Sequence, residues 1–256
     1  MKNRSKKTQK RQQNSDFLIY GHHAAVAAIQ NLKRRKIELL LTVEAQTKLA
    51  QVKDQYDFDS IPQRIVTRQE IDNLIGRNIN HQGICLNVQR IQKISIKEFL
   101  NEQSGEKSTL VLLDQLEDSQ NVGAIFRSAL AFNINGIILT ESQSVNENGF
   151  VAKSACGGLD KIPFTTIANL ASTIKTLKDH GYWIYGLDAK ANMLIGEIDF
   201  PKKTVLVLGS EANGMRKRTT SLCDTLVKIK ISNELESLNV SNSAAVAFFH
   251  ISMVKD

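Results

Sequence analysis

The chain is poor in cysteine and has no long apolar run, and both absences restrict what it can be. Its three cysteines, Cys85, Cys156 and Cys223, are far apart and form no CxxC pair. A disulfide framework or a zinc site is therefore not expected, and the thiols are expected to be buried and reduced. No apolar run approaches the roughly 18 residues that span a bilayer, and none follows the basic start as in a secretory signal. The sequence predicts a cytoplasmic protein with no membrane span and no metal site.

Acidic residues are in deficit. The 256-residue chain carries 33 basic and 26 acidic side chains, a net charge of +7 at pH 7. Much of the excess lies in residues 1–15, which contain no acid. We expect this basic tail to be disordered, and it is either a solubilising end or an arm that contacts phosphates. The charge favours a polyanionic partner such as nucleic acid.

Strand and helix patterns divide the chain into two parts. Residues 16–90 alternate short apolar strands with helices, which predicts a small α/β domain. Residues 91–108 turn polar and are predicted to be a linker. Residues 109–256 begin with the apolar run TLVLL and alternate strands with helices to the end. Continuous apolar strands between helices predict an α/β domain with a parallel sheet covered on both faces.

Two short polar segments interrupt the apolar sequence of the last third. An apolar strand ends at Leu208 and leads into the loop Gly209–Gly214, and residues 236–241 place Ser237 and Asn239 just before a helix. Because interiors exclude polar groups that have no partner, two such segments at strand exits suggest a ligand site. The simpler interpretations are an ordinary strand–helix turn and a helix cap.

The loop Gly209–Gly214 does not match the common phosphate-binding loops. It lacks the second close glycine of the Rossmann GxGxxG fingerprint and the Gly-Lys-Ser/Thr of a Walker loop. The carboxylate of Glu211, at its centre, would repel a phosphate. It suits an amino, ribose hydroxyl or guanidinium partner instead.

A third segment, Asp118–Arg127, follows the first strand of the second domain. Gly123 and Ala124 would allow another element to approach closely, and Arg127 lies one or two turns into the predicted helix. The simpler interpretation is a helix cap at Ser119 or Asn121 and a solvent-facing arginine.

The histidines of the first domain give no sign of a metal site or catalytic pair. His22, His23 and His81 show no i,i+4 spacing and no carboxylate partner in sequence, so core or surface positions are the favoured interpretation. If the partner is RNA, a histidine together with Arg77 could stack on it or pair with it.

Taken together, the three segments resemble in order and spacing the three signature motifs of the TrmH/SpoU family of RNA 2′-O-ribose methyltransferases, in the SPOUT superfamily. Asn121–Arg127 resembles the first motif, Leu208–Met215 the second and Ile229–Ser241 the third. Residues 19–24 and 81–84 are similar to the substrate-binding domain of the bacterial 23S rRNA guanosine-2′-O-methyltransferase branch. The resemblance covers nearly the whole chain except the basic tail.

The resemblance implies a fold, a cofactor and a set of site residues. It implies a C-terminal domain with a deep trefoil knot from Val205 onward, an N-terminal RNA-binding domain like a small ribosomal protein, and a homodimer. It also implies S-adenosylmethionine as cofactor and no metal. The implied catalytic residues are Asn121, Arg127, Glu211, Ser237 and Asn239. The implied cofactor-binding residues are Leu208, Gly209, Gly214, Ile229 and Leu238.

We therefore predict S-adenosylmethionine-dependent 2′-O-ribose methylation of RNA, with a guanosine of 23S rRNA as the favoured substrate. A tRNA 2′-O-methyltransferase keeps the same chemistry and is one alternative. An inactive RNA-binding ribosome assembly factor is the alternative from another class. The N-terminal domain favours rRNA, because minimal tRNA members of the family lack one. Ser119, Lys230 and Asn233 depart from the family pattern, but no implied chemical residue is altered, so we expect an active enzyme.

Overall fold

The structure is a computed structural model that describes residues 16–51, 58, 60–103, 105–141 and 147–255. The predicted basic tail, residues 1–15, lies outside the described residues. None of the helices in the described part is long and apolar enough to cross a membrane.

The first domain is built on a four-stranded sheet. Its described elements are β1 (Phe17–Tyr20), α1 (His22–Gln30), β2 (Lys36–Leu41), α2 (Val43–Ala50), β3 (Gln63–Ile65), α3 (Arg68–Ile75) and β4 (Ile84–Val88). The strand order is β1-β4-β2-β3, with β4 antiparallel to β1 and β2, and β3 parallel to β2. The prediction of a small N-terminal α/β domain is confirmed.

The second domain is built on a seven-stranded sheet. Its described elements are α4 (Ile96–Glu102), β5 (Ser108–Asp114), α5 (Ser119–Ala131), β6 (Gly136–Thr140), α6 (Gly149–Ala155), α7 (Gly158–Lys161), β7 (Phe164–Ile167), α8 (Leu170–Asp179), β8 (Trp183–Leu187), β9 (Met193–Leu194), β10 (Lys203–Gly209), α9 (Lys217–Leu222), β11 (Thr225–Lys228) and α10 (Val240–Lys255). The strand order is β7-β6-β5-β10-β8-β11-β9, and every adjacent pair is parallel. The predicted parallel sheet is confirmed.

Burial along the central strands explains why their sequences are continuously apolar. All seven residues of β5 are buried. Leu110 and Leu112 belong to one apolar cluster, whereas Val111 and Leu113 belong to the other. Successive side chains of a strand point to opposite faces, so both faces of the sheet are covered by packed side chains, as the sequence predicts.

The segment 91–108, predicted as a linker, contains the helix α4. Ser95 and Glu98 form a capping box at its start, an arrangement that satisfies backbone donors left open at a helix end. Phe99 is fully buried and packs with strand residues of the second domain. This segment therefore belongs to the packed structure of the second domain.

A buried ion-pair network joins the two domains. The Arg34 side chain, on the turn after α1, is completely buried. Its Nη2 lies 2.8 Å from Glu147 Oε2, its Nε donates to Asp160, and its Nη1 donates to the Gln89 carbonyl at 3.1 Å. Because the guanidinium has a partner on each side, the first domain is held in one orientation against α6 and α7.

Removal of the Arg34 side chain should destabilise the protein strongly. Arg34→Ala would leave Glu147 and Asp160 buried without their cation, which costs about 3–5 kcal/mol of unfolding free energy. The matched control is Arg64→Ala, because Arg64 pairs with Glu38 at 3.2 Å on the exposed surface, where such pairs contribute about 0–1 kcal/mol. Denaturant unfolding measures both variants, and equal losses of unfolding free energy would contradict the stabilising role of the buried ion-pair network.

Candidate functional site

One open cavity of about 830 Å³ lies at the C-terminal ends of β8, β10 and β11. Its walls are the loop after β10, the end of β8 and the segment between β11 and α10. The cavity is lined by all five residues expected to bind the cofactor: Leu208, Gly209, Gly214, Ile229 and Leu238. The fold thus brings together residues of the second and third motifs that lie apart in sequence.

The glycine loop after β10 closes tightly on itself. The Ser210 N–H donates to the Gly214 carbonyl at 3.1 Å, and the Gly214 N–H donates to the Ser210 carbonyl at 2.9 Å. A Cβ on Gly209 would lie 2.1 Å from the Gly214 carbonyl carbon and from the Met215 nitrogen. The backbone therefore leaves no room for a side chain at position 209.

Glu211 connects this cavity to the first motif. It lines the cavity, and its Oε1 accepts a hydrogen bond from Nδ2 of Asn121, 90 residues away. Nδ2 of Asn121 also donates to Asp118 Oδ2 at 3.2 Å. Asn121 is buried, so its amide is held between two carboxylates.

The cap of α5 differs from both positions considered in the sequence. Asp118 is the N-cap residue, since its Oδ1 accepts the Gln120 N–H at 2.7 Å. Ser119 and Asn121 lie inside the helix. The helix-cap interpretation of these two residues is therefore wrong, and Asn121 is left to reach across to Glu211.

Arg127 lies outside the lining of the large cavity. It is exposed on α5, six residues from Asn121 and thus about 9 Å further along the helix axis. A Cβ on Gly158 would lie 3.2 Å from the Arg127 nitrogen, and a Cβ on Gly123 would lie 2.4 Å from the Ser154 Cβ. The close approach predicted at Gly123 is thus present, and α6 and α7 pack tightly against the helix that carries Arg127.

The two polar residues of the third motif have different positions. Ser237 lines the large cavity. Asn239 precedes α10, and its Oδ1 accepts the Ser241 N–H at 2.9 Å and the Ser241 hydroxyl at 2.6 Å. Asn239 therefore caps α10, and the helix-cap interpretation holds for this residue.

Asp114, at the end of β5, is a site residue that the sequence reasoning missed. Its side chain is fully buried. Oδ2 accepts from the Thr219 hydroxyl at 2.6 Å and from the Arg216 N–H at 3.2 Å, and Oδ1 lies 2.6 Å from Arg216 Nη2. Asp114 thereby anchors the start of α9 and the end of the glycine loop. The available signal was an acidic residue that directly follows four consecutive apolar residues at the end of a strand.

Asp188 is a second acidic residue that the sequence reasoning missed. It follows β8 and lines the large cavity, where its Oδ1 accepts the Lys190 N–H at 2.8 Å. With Glu211 and Glu236 it places three carboxylates on the cavity wall. Across the residues that the structure describes, no group of three or more His, Cys, Asp and Glu side chains is arranged to hold a metal ion.

Comparison with known families matches both domains. Residues 108–249 match the model of the SpoU rRNA Methylase family. Residues 18–93 match the model described as RNA 2′-O ribose methyltransferase substrate binding.

Curated relatives match over nearly the full length. The 23S rRNA (guanosine-2′-O-)-methyltransferase RlmB of Xylella fastidiosa (strain 9a5c) is 32% identical over 235 residues, which covers 90% of this chain and 94% of the relative. The protein of the same name from Nitrosomonas europaea is 32% identical over 236 residues, covering 90% and 89%.

Solved structures share the fold. The SpoU methyltransferase AviRb from Streptomyces viridochromogenes, in complex with AdoMet, superposes with a TM-score of 0.80 at 20% identity and covers 94% of this chain and 90% of that one. The A. aeolicus TrmH/SpoU tRNA modifying enzyme gives a TM-score of 0.53 at 19% identity and covers 63% of this chain and 85% of that one. At these identities the likeness concerns architecture.

A methyl group at position 209 should disrupt the large cavity. Gly209→Ala would force the backbone at Gly214 and Met215 to move, and overpacking of this kind costs about 1–3 kcal/mol. Gly196→Ala is the matched control, because a Cβ there meets no atom within 4 Å. Thermal or denaturant unfolding of both variants checks this, and a neutral Gly209→Ala would show that the loop is not packed as described.

Proposed function

Since the chain belongs to the SpoU rRNA methylase family, we propose that it is an S-adenosylmethionine-dependent RNA 2′-O-methyltransferase that modifies a guanosine of 23S rRNA. The observation that carries this proposal is the single cavity that gathers the second and third motifs and is joined to the first by the Asn121–Glu211 hydrogen bond. The choice of rRNA rests on relatives with this named activity that align over 90% of the chain. Such a substrate lies in the cytoplasm, where we propose that the enzyme acts.

The large cavity fits S-adenosylmethionine in size and in lining. Its volume of about 830 Å³ falls within the roughly 300–1,000 Å³ typical of small-molecule sites. Ile229 and Leu238 offer apolar walls to an adenine ring, and the carboxylates of Asp188 and Glu211 can accept hydrogen bonds from ribose hydroxyls or an ammonium group. When bound, this cofactor would supply a methyl group whose bond to the sulfonium sulfur breaks, with a neutral thioether as the good leaving group.

Arg127 is suited to bind a negatively charged group rather than to accept a proton. A guanidinium stays protonated at neutral pH. We propose that it holds a phosphate of the RNA and stabilises negative charge as it develops on the ribose 2′-oxygen, since preorganised donors aimed at developing charge lower a barrier most effectively. Its exposed position on α5 suits contact with a macromolecular substrate.

Asn121 and Asn239 act through the residues that they hold, whereas Glu211 and Ser237 face the cavity. The Asn121 amide fixes the Glu211 carboxylate, which can then orient a hydroxyl of the reacting ribose. Asn239 caps α10 and so fixes the segment that carries Ser237. Alignment of the reacting groups by such fixed side chains is a large part of the barrier reduction expected for methyl transfer.

We also propose that the chain from Val205 onward forms a deep trefoil knot. Strand β10 lies between β5 and β8, and β11 lies on the far side of β8. The chain then passes the glycine loop at the cavity before α10 packs against α5. This order is compatible with a threaded path, which we propose from the membership of the SpoU family.

A homodimer is supported by an apolar stripe on α10. Val246, Phe249, Met253 and Val254 are between 43% and 63% exposed, and three of them recur at helical spacing on one face. Contiguous exposed apolar side chains mark interaction sites, and two copies of one helix can pair across a two-fold axis.

Loss of the Arg127 guanidinium should slow methyl transfer strongly and spare cofactor binding. The wild type is expected to place labelled methyl on the 2′-oxygen of a 23S rRNA guanosine, and Arg127→Ala should lose roughly 100-fold or more in rate. Arg127→Lys keeps the charge but not the planar fork and should stay impaired. Lys175→Ala, which removes an exposed cation on α8, is the control with unchanged rate.

The assay also separates the alternatives. Label on a base, or on tRNA in place of rRNA, would overturn the proposed substrate or reaction. No transfer together with no S-adenosylmethionine binding by calorimetry would favour an inactive RNA-binding factor.

A charge on the α10 stripe should dissociate the dimer. Phe249→Asp would place a carboxylate where an apolar contact is proposed, and light scattering should then report a monomer. Leu32→Asp is the matched control, because Leu32 is 95% exposed and lies in the first domain. A wild-type protein that is already monomeric at micromolar concentration would refute the proposed dimer.

A further inference from the structure

A second, smaller cavity lies at the junction of the two domains. Its volume is about 250 Å³, below the roughly 300–1,000 Å³ of sites that enclose a whole drug-sized ligand. It is lined by His22, His23, Val26, Ala27, Gln30, Cys156 and Lys161. One wall is therefore α1 of the first domain, and the other is the α6–α7 region of the second. A cavity of this size suits a single flat ring.

Two adjacent glycines connect this junction cavity to Arg127. A Cβ on Gly157 would lie 3.0 Å from the Ala27 Cβ and 3.4 Å from the His23 carbonyl. A Cβ on Gly158 would lie 2.5 Å from the Phe126 carbonyl and 3.2 Å from the Arg127 nitrogen. The backbone at these glycines therefore touches α1 on one side and α5 on the other. The junction cavity and the proposed catalytic arginine flank the same short stretch of chain.

The side chains of the junction cavity suit a nucleobase. The rings of His22 and His23 meet edge to face, with centroids 5.6 Å apart. Burial lowers the pKa of His22, and the neighbouring His23 and Lys48 lower it further, so this ring is neutral at neutral pH. Histidine rings stack on unpaired RNA bases, and the Gln30 amide can both donate and accept hydrogen bonds.

The charge around the junction cavity also suits RNA. None of its seven lining side chains is acidic, and Lys161 is an exposed cation at its rim. The nearby carboxylate of Asp160 is engaged by Arg34 and by Asn31. A phosphate next to a bound base would therefore meet a positive charge.

Both N-terminal motifs meet at the edge of this cavity. Gln82 Oε1 accepts from the His22 N–H at 3.0 Å and from Lys153 Nζ at 3.1 Å. Gln82 thereby ties the start of α1 to α6 of the other domain. The hydrogen bond from His22 to Gln82 joins the two N-terminal motifs, residues 19–24 and 81–84. Together they hold the wall of the cavity in place.

We propose that the junction cavity binds a nucleobase of the RNA substrate other than the one whose ribose is methylated. The His23 ring stacks on that base, and Lys161 contacts an adjacent phosphate. This inference rests on the proposed RNA methyltransferase function, and it assigns part of the RNA recognition to a site formed by both domains.

Binding and kinetics of variants test the stacking contact. His23→Ala should weaken binding of an rRNA fragment by about tenfold, as loss of one base–aromatic stack does, and His23→Phe should restore most of it. Lys161→Ala should weaken binding and reduce its salt dependence. His180→Ala, an exposed histidine at the end of α8, is the matched control. Affinity for S-adenosylmethionine should be unchanged in all four variants.

Alkylation of Cys156 gives an independent test of whether RNA covers the junction cavity. Cys156 and Cys223 are partly exposed, and Cys85 is buried. Desolvation raises the pKa of Cys85 and of Cys223 to about 12, so those two thiols should react slowly. Saturating rRNA fragment should protect Cys156 from iodoacetamide in the wild-type protein. S-adenosylmethionine alone should not.

The outcomes distinguish a failure of the proposed base site from a failure of the proposed methyltransferase function. If the wild type methylates rRNA, but His23→Ala binds RNA normally and RNA leaves Cys156 reactive, the junction cavity is not a base site while the proposed function stands. If the wild type does not methylate RNA at all, the proposed function fails. Weaker binding by His23→Ala that His23→Phe does not rescue would overturn stacking as the contact.

Discussion

The pairing of β10 with β5 is the constraint on which the candidate site depends. The two strands are in register from Lys203 beside Ser108 to Gly209 beside Asp114, so both end at the same level of the sheet. This brings the turn after β5 against the loop after β10, although about a hundred residues separate them in sequence. The Asp114–Arg216 ion pair and the Asn121–Glu211 hydrogen bond both follow from that register. A slip by one residue would reverse which face each side chain occupies and would break both contacts.

Buried ion pairs fix the geometry at two places in the structure, the glycine loop and the junction of the two domains. Asp114 is buried with Arg216 and Thr219 as partners, and Arg34 is buried between Glu147 and Asp160. Burial of an ion costs several kcal/mol unless well-placed partners offset it. These pairs are therefore weak sources of net stability, but they strongly disfavour alternative arrangements of the glycine loop and of the two domains.

The sequence was sufficient to predict an N-terminal α/β domain and a second domain with a parallel sheet, but not the contacts between the three motifs. Continuous apolar strands such as residues 109–113 indicated a parallel sheet because full burial on both faces requires them. The cap at Asp118 and the anchoring role of Asp114 were missed, because each depends on which backbone group or side chain tertiary structure brings near. The helix α4 was missed for a related reason: its polar surface resembles a linker, and only Phe99 and Leu100 are buried.

Under the proposed function, the helices α6 and α7 link the chemistry at Arg127 physically to the selection of the substrate. They pack against α5, which carries Arg127, and against α1 and β1 of the first domain. Gly123, Gly157 and Gly158 allow these contacts at backbone distance, where little relative movement is possible because packed interiors resist deformation. Under the proposed function, an RNA held by the first domain would therefore lie at a fixed distance from Arg127. On this view, the selection of a nucleotide depends on a rigid spacing between two sites, one at the sheet edge and one at the domain junction.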